Sequence, residues 1–345
     1  MKNRWIFVLA VVFFIAGCKY NEEVIPPAED VQTIIQKYAD QLATDRVAIQ
    51  QTKAMAALAN YHIISSNSFR IPLNFSIDNL SFYQAGLRKF EGEGDPGRFD
   101  FSGNLGIYQW DSVLEEFIRI DEDADFICIN FPASATVQDN NASLKISRYE
   151  EAILTDGIIG VAFFNMELTI DGKPEMNLDY EASYDVLGNP VSLVMNLTVN
   201  PFQLSMDLEQ SKGVMQINSS WKKEQNPILS SYFLVARNNL NFIPYDGLAF
   251  AGKTSGYIKY RELKLDGSFD FSATEIEKAD KRAAVQMALY SGSRKLGRLY
   301  IDFSTEGERI IPGTIQYFIE SMENNARIPA DGLIRPLLDG FNQMI

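Results

Sequence analysis

Histidine is nearly absent from this chain, because His62 is the only one among 345 residues. A Ser-His-Asp triad, a histidine-rich zinc site or a two-histidine metal site therefore uses His62 or does not exist. His62 lies where a helical pattern gives way to an alternating one, which is typical of a capping or surface residue. The poverty of catalytic residue types argues against an enzyme without deciding the question, and no cofactor or metal is indicated.

Cysteine is also scarce, with only Cys18 and Cys128 present. If Cys18 is modified, as argued below, Cys128 has no partner for an intramolecular disulfide. Cys128 stands between Ile127 and Ile129 in an apolar segment, where cysteine is usually a small buried hydrophobe. We therefore expect packing alone to stabilise the fold.

Positive charge is in the minority, with 31 basic against 45 acidic side chains and a net charge of −14. If residues 1–18 are removed as a leader, Lys2 and Arg4 are lost, and the remaining chain has 29 basic against 45 acidic side chains, a net charge of −16. Such a balance repels nucleic acid and anionic lipid surfaces, so we predict no nucleic-acid partner. A hydrophobic content of 46% suits one large or two moderate globular domains.

A long apolar run is present only at the N-terminus, where Trp5 to Ala16 follow the basic Lys2 and Arg4. The run is too short for a spanning helix, which needs about 20 apolar residues, and is typical of a secretory signal. It ends in Ile15-Ala16-Gly17-Cys18, which resembles the lipobox of bacterial lipoproteins. The resemblance implies cleavage before Cys18 and acylation of that cysteine. An ordinary signal peptide with a coincidental cysteine is the alternative.

The residues after Cys18 indicate where in the cell envelope the protein is exported. Lys19 followed by Glu22 and Glu23 resembles the export signal of lipoproteins of the Bacteroidetes phylum that reach the outer face of the outer membrane. The resemblance implies attachment to the cell outer membrane and favours a surface-exposed position over a periplasm-facing one. Alternatively, residues 19–27 are only a polar tether.

Apolar periodicity divides the rest of the chain in two. Spacings of three and four residues predict a helical segment over 28–62, as two helices or one with an exposed middle. An alternating pattern then predicts an antiparallel β domain over 63–345, clearest between Val191 and Leu208. The predicted fold is mainly β, a large curved antiparallel sheet or open barrel with an N-terminal helix and a short helical C-terminal tail.

Turn residues punctuate the β region. Asp171-Gly172 and Asp266-Gly267 predict hairpin turns. Residues 158–235 are expected to form five long strands, and residues 285–303 a further hairpin. One helical turn is predicted within 272–281, and the tail is expected to contain a helix over 314–322 and another from Leu333.

Two strand patterns extend the family resemblance. Gly106-Ile107-Tyr108-Gln109-Trp110 is followed by the segment Phe126–Pro132, which ends in Phe-Pro, and by Asn140-Asn141. This order resembles a recurrent pattern among uncharacterised outer-membrane lipoproteins of the Bacteroidetes type. The resemblance covers about Phe99 to Val235 and implies no particular activity. The tripeptide Asp111-Ser112-Val113 also resembles an O-glycosylation site of Bacteroidetes exported proteins, which would make Ser112 the modified residue.

Two short segments resemble known binding motifs but lack residues that those motifs require. The string Gly92, Gly94 and Gly97 is interrupted by proline and acidic residues that would repel a phosphate, so we interpret it as a surface loop. The acids of 121–125 begin like a calcium loop, but Phe126 replaces the required glycine. A solvated acidic loop is favoured over a loose calcium site.

The sequence therefore predicts a lipid-anchored cell-envelope protein with a non-enzymatic binding or structural role. Its partner would be an envelope protein, a glycan or a lipid. One alternative is a carrier of an apolar ligand, which the methionines in the predicted strands would indicate if they line a cavity. If they do not, these methionines are ordinary core residues. The second is a carboxylate-dependent glycan hydrolase, for which Trp110 and Trp221 would be sugar-stacking candidates unless they are core.

Overall fold

The computed structural model describes residues 28–65, 87–89, 99–153, 158–185, 190–236, 253–270, 285–302, 305–306, 309–310, 316–322 and 325–342. Three helices lie in these ranges: α1 (Ala28–Gln50), α2 (Lys53–Ile64) and α3 (Asp331–Asn342). Two helices therefore occupy the N-terminal segment. Thr52 separates them, since its Oγ1 accepts a hydrogen bond from the Met55 N–H at 3.4 Å and caps α2. None of the helices in the described residues is long and apolar enough to cross a membrane.

The same ranges contain 19 strands, which alternate with short turns along most of the chain. They are β1 (Leu87–Lys89), β2 (Gly106–Asp111), β3 (Glu116–Asp121), β4 (Ile127–Phe131), β5 (Ala142–Ile153), β6 (Ile158–Ile170), β7 (Lys173–Tyr184), β8 (Pro190–Val199), β9 (Phe202–Ser211), β10 (Val214–Lys223), β11 (Asn226–Ala236), β12 (Lys253–Tyr260), β13 (Leu263–Asp270), β14 (Val285–Ser291), β15 (Arg294–Asp302), β16 (Thr305–Glu306), β17 (Arg309–Ile310), β18 (Gln316–Ser321) and β19 (Arg327–Pro329).

Seventeen of these strands form one sheet that does not close on itself, and β16 pairs only with β17. Consecutive strands from β4 to β15 pair antiparallel, and the sheet continues through β18 to β19. At the other end, β4 lies parallel to β2, and β3 is the outermost strand of the described sheet. The predicted mainly β fold with helices at both ends is confirmed.

One face of the sheet, here called the inner face, is apolar and covered by the helices. Along β8 and β9 the buried apolar residues alternate with more exposed residues that are mostly polar, as the period of two predicts. From α1, Val31, Ile35, Tyr38 and Leu42 are buried together with this face. Their spacing of three and four residues places them on one side of the helix. The hydrophobic core thus lies between the sheet and its own helices.

Polar contacts fix the helices along the sheet. The Asp45 carboxylate on α1 accepts hydrogen bonds from the Tyr260 hydroxyl and the Arg261 guanidinium, each at 2.7 Å. Further along, the Asn60 amide on α2 donates to the Pro132 carbonyl oxygen at 2.7 Å. These contacts join the two helices to strands as distant as β12 and β4.

We expect Asp45→Ala to lower the free energy of unfolding by about 2 kcal/mol, because it leaves a part-buried hydroxyl and guanidinium without their acceptor. Asp30→Ala is the matched control, since Asp30 faces Arg294 across a more exposed ion pair at 3.6 Å. Such a pair contributes about 0.5 kcal/mol. Urea unfolding of both variants checks the difference, and equal losses would contradict the proposed role of Asp45.

The C-terminal tail is partly helical and partly strand. The predicted helix from Leu333 is confirmed by α3, which begins at Asp331. The predicted helix over 314–322 is wrong, because residues Gln316–Ser321 form β18. Phe318 and Ile319 follow Ile315 by three and four residues, a spacing that fits a helix. Antiparallel pairing of residues 316–321 with β15 and β19 selects the strand instead.

Two further predictions about turns need correction. The Asp266-Gly267 dipeptide is no turn but lies inside β13, and the hairpin turns at Arg261 and Glu262 instead. Gly267 has φ +149 and lies so close to the backbone of Gln286 and Met287 on β14 that a Cβ would not fit, so glycine is needed there. Residues 158–236 contain six strands, β6 to β11, rather than the five predicted. The predicted helical turn in 272–281 lies outside the described residues.

Candidate interaction surface

The face opposite the helices, here called the outer face, carries polar side chains across its middle strands. One row runs across β6 to β11 and consists of Asn165, Asp179, Asn196, Ser205, Ser220 and Ser230. Its members bond to one another: the Asn165 amide donates to Asp179 at 2.6 Å, and the Ser205 and Ser220 hydroxyls lie 2.7 Å apart. This part of the outer face therefore largely satisfies its own hydrogen-bonding groups.

The C-terminal half of the outer face carries aromatic rings next to cations. Tyr232 and Tyr257 stack with their ring centroids 6.2 Å apart, and the Lys264 ammonium lies 4.7 Å from the Tyr257 centroid. The Arg327 guanidinium lies 3.6 Å from the centroid of Tyr300. Because cations already contact these rings, a stacking ligand would have to displace them.

The hairpin formed by β2 and β3 differs from both of these regions. On one side of β3, the ring centroid of Phe117 lies 5.1 Å from that of Trp110 and 5.9 Å from that of Tyr61. On the other side, Ile118 is 37% exposed and Ile120 is 56% exposed. The hairpin is therefore anchored by its aromatic residues and presents apolar side chains outward.

The tip of this hairpin holds the predicted modification residue. Ser112 is exposed in the turn between β2 and β3. The Asp111 carboxylate accepts hydrogen bonds from the backbone N–H groups of Val113 and Leu114 at 2.8 and 3.0 Å, which orders the turn. O-glycosylation of Ser112 remains a prediction, and its hydroxyl lies where an enzyme could reach it.

Other singled-out residues are distributed over the fold and do not meet in one place. His62 is exposed in the last turn of α2, consistent with a surface role. Cys128 is half-buried, with its Sγ 3.2 Å from the Ser143 hydroxyl, rather than fully buried as expected. Trp110 is half-buried against Phe117, and Trp221 is buried. Both tryptophans pack with the core.

The acidic residues of 121–125 lie in the connection between β3 and β4, where Asp121, Glu122, Asp123 and Asp125 are exposed. Within the part of the chain that the structure describes, no three His, Cys, Asp or Glu side chains are placed to hold a metal ion. The glycine string at 92–97 and the predicted lipidation residue Cys18 lie outside the described residues.

The inner face holds the predicted methionines. Six of them are only 1–3% exposed: Met166, Met176, Met195, Met206, Met215 and Met287. Such burial fits core packing. Trp221 adds a buried indole N–H that has no hydrogen-bond acceptor among the described residues. A buried donor without a partner needs an explanation, such as a water molecule or a bound polar group.

Three tyrosine hydroxyls on or near the inner face are shielded from solvent. Burial raises the pKa of Tyr184 to about 12, an effect partly offset by its hydrogen bond with Tyr180. Burial also raises the pKa of Tyr61 and of Tyr260 above the ordinary tyrosine range. All three hydroxyls therefore stay protonated at alkaline pH where an ordinary exposed tyrosine ionises.

Sequence reasoning missed the exposed apolar residues of the β2–β3 hairpin. Val113, Leu114, Ile118 and Ile120 look like ordinary strand residues, because apolar side chains at alternate positions normally point into a core. The dense acidic residues around them were a usable signal of a solvent-exposed location. Their position at the sheet edge follows from the pairing of β2 with β4, which local pattern does not reveal.

In the comparison with known proteins, no family model, no curated protein and no solved structure matches this chain.

Proposed function

We propose that the protein is a bacterial lipoprotein, attached to the outer membrane through acyl chains on Cys18 and facing the cell surface. The observation that carries this proposal is the Ile15-Ala16-Gly17-Cys18 sequence directly after an apolar run of signal-peptide length. Several acyl chains, at about 0.8 kcal/mol per buried methylene, provide stable attachment. Lys19 and the acidic pair Glu22 and Glu23 support surface display.

The β body serves as a binding or structural module in this proposal, and its contacts are made on the exterior. One feature supports an exterior site, and a second supports a non-enzymatic role. The apolar inner face is packed with helices from the same chain, and the outer face and the β3 edge are open to solvent. Few catalytic residue types are present, with His62 as the only histidine.

A carrier of an apolar ligand is the second candidate. The six methionines share the inner face with Trp221, whose buried indole N–H has no acceptor among the described residues. Flexible, polarizable side chains suit an adaptable apolar site, and the indole could donate to a polar group of the cargo. In this case the helices would have to separate from the sheet to admit the ligand.

Proteinase treatment of intact native cells tests surface display. The proposal predicts that external proteinase K degrades the protein while a periplasmic marker stays intact, and survival of the protein until the cells are lysed would contradict surface display.

Native mass spectrometry of protein from gently solubilised membranes distinguishes the exterior binding module from the carrier of an apolar ligand. A bound lipid of defined mass would favour the carrier, whereas the mass of the acylated chain alone favours the exterior binding module.

A further inference from the structure

The β2–β3 hairpin forms an edge of the described sheet. Among the described strands, β3 pairs only with β2, and β2 pairs with β4 on its other side. A strand directs the N–H and C=O groups of alternate residues to opposite sides. The six residues Glu116–Asp121 therefore leave about half of their backbone groups available to a further strand. At the opposite end, β19 is only three residues long and contains Pro329, which limits pairing there.

This edge concentrates exposed apolar side chains. Val113 and Leu114 are 88% and 59% exposed at the hairpin tip, next to Ile118 and Ile120 on the strand. Four of the nine large exposed hydrophobic residues in the described part of the chain thus fall within eight consecutive positions. Isolated exposed apolar residues are ordinary, whereas a group at a strand edge is typical of an interaction site.

The same segment is strongly acidic. Residues 111–125 contain seven acidic side chains and one basic side chain, a net charge of −6. The basic residue, Arg119, donates a hydrogen bond to the Leu105 carbonyl oxygen, and its guanidinium lies 5.9 Å from the Tyr108 centroid. Arg119 is thus turned back onto the hairpin, and the edge presents mainly carboxylates around its apolar residues.

Charge decides which occupant fits. A second copy of this chain would bring two segments of net charge −6 together, which repel each other. An anionic membrane surface is disfavoured for the same reason. An extended segment that alternates apolar residues with lysine or arginine satisfies the backbone groups, covers Ile118 and Ile120, and places its cations near the carboxylates.

We infer that β3 is a docking edge, which adds a basic, apolar, extended segment of another cell-envelope protein to the sheet as a further strand. The inference rests on the proposed function, since it names the partner class of the exterior binding module. Phe117 holds the edge in place through its contacts with Trp110 and Tyr61, while Ile118 and Ile120 contact the added strand.

A capped eight-residue peptide of alternating lysine and valine is the probe. Its binding to the full acylated chain in detergent micelles is measured by fluorescence anisotropy, and the mass of the same preparation is measured to verify acylation. We expect binding that weakens as salt rises. The same peptide with N-methyl groups on alternate residues keeps its charge but cannot pair as a strand, so it should bind at least about 10-fold more weakly. Equal binding of both peptides would overturn the docking edge.

The double variant Ile118→Ser, Ile120→Ser removes the apolar contacts from the edge. We expect it to bind the peptide at least about 10-fold more weakly with an unchanged unfolding midpoint, since both residues are substantially exposed. Val194→Ser is the matched control, because Val194 is 48% exposed on the central strand β8. If Val194→Ser weakened peptide binding as much as the double variant does, the inference would be contradicted. Tight binding of a peptide that alternates glutamate with valine would also contradict it.

Hydrogen exchange distinguishes other occupants of the edge. The inference predicts rapid exchange, in the free protein, of those β3 amides that do not pair with β2, and protection of the same amides after the peptide is added. Protection of these unpaired amides in the free protein at all concentrations would mean that the chain itself already covers the edge. Protection that grows with protein concentration would indicate a second copy instead. Either result refutes the inference, and neither affects the acylation of Cys18.

Discussion

Replacing Cys18 with serine releases the protein from the membrane. Acyl chains on this cysteine provide the attachment in the proposed function, and a serine hydroxyl at this position carries no thioether-linked lipid. In this variant, residues 1–17 are replaced by an ordinary signal peptide that is cleaved during export. Otherwise the uncleaved apolar run could itself hold the protein in the membrane. We expect its partition between membrane and soluble fractions to fall by more than about 100-fold. Ultracentrifugation of cell envelopes followed by immunoblotting measures this partition.

Cys128→Ser is the matched control, since it removes the other cysteine of the chain. Cys128 lies on β4, and its loss leaves the N-terminal sequence unchanged. The control should stay in the membrane fraction like the wild type. If the Cys18 variant stayed there as well, the protein would be held by something other than a lipid on Cys18.

We expect the substitution of Gly267 with alanine to destabilise the fold strongly. A Cβ at this position would lie 2.0 Å from the Gln286 carbonyl oxygen and 2.7 Å from the Met287 Cα. Both are backbone atoms of the neighbouring strand β14, so they cannot move aside without breaking the pairing. The φ of +149 is also unfavourable for alanine. We expect a loss of about 3–5 kcal/mol in the free energy of unfolding, measured by urea denaturation.

Gly292→Ala separates crowding from backbone strain. Gly292 also has a positive φ, +57, but a Cβ there meets no atom within 4 Å. The expected cost is about 1 kcal/mol, from the left-handed backbone alone. Equal destabilisation by the two substitutions would show that close approach of β13 and β14 does not require a glycine at position 267.

Local pattern predicted the elements whose apolar residues recur with one period. Alternation between Val191 and Leu208 predicted β8 and β9, because one face of each strand is buried and the other exposed. The helical spacing of Val31 and Ile35 likewise predicted α1. In both cases burial follows the repeat of the element itself, so neighbouring residues contain enough information.

The failures have a different origin, because each depends on contacts with distant parts of the chain. Asp266-Gly267 has turn chemistry, yet Gly267 is needed where β13 approaches β14 closely. Residues 316–321 become a strand through pairing with β15. The exposure of Ile118 and Ile120 depends on the edge position of β3. Such long-range pairing is not encoded in the local period of a sequence.

The mass of the mature protein, isolated from the membranes of its native host, tests the central claim most directly. A lipid-anchored protein begins at Cys18, and its N-terminal peptide carries the added mass of a diacylglyceryl group and an amide-linked acyl chain. A mature chain that starts elsewhere, or one in which Cys18 has a free thiol, would contradict the account.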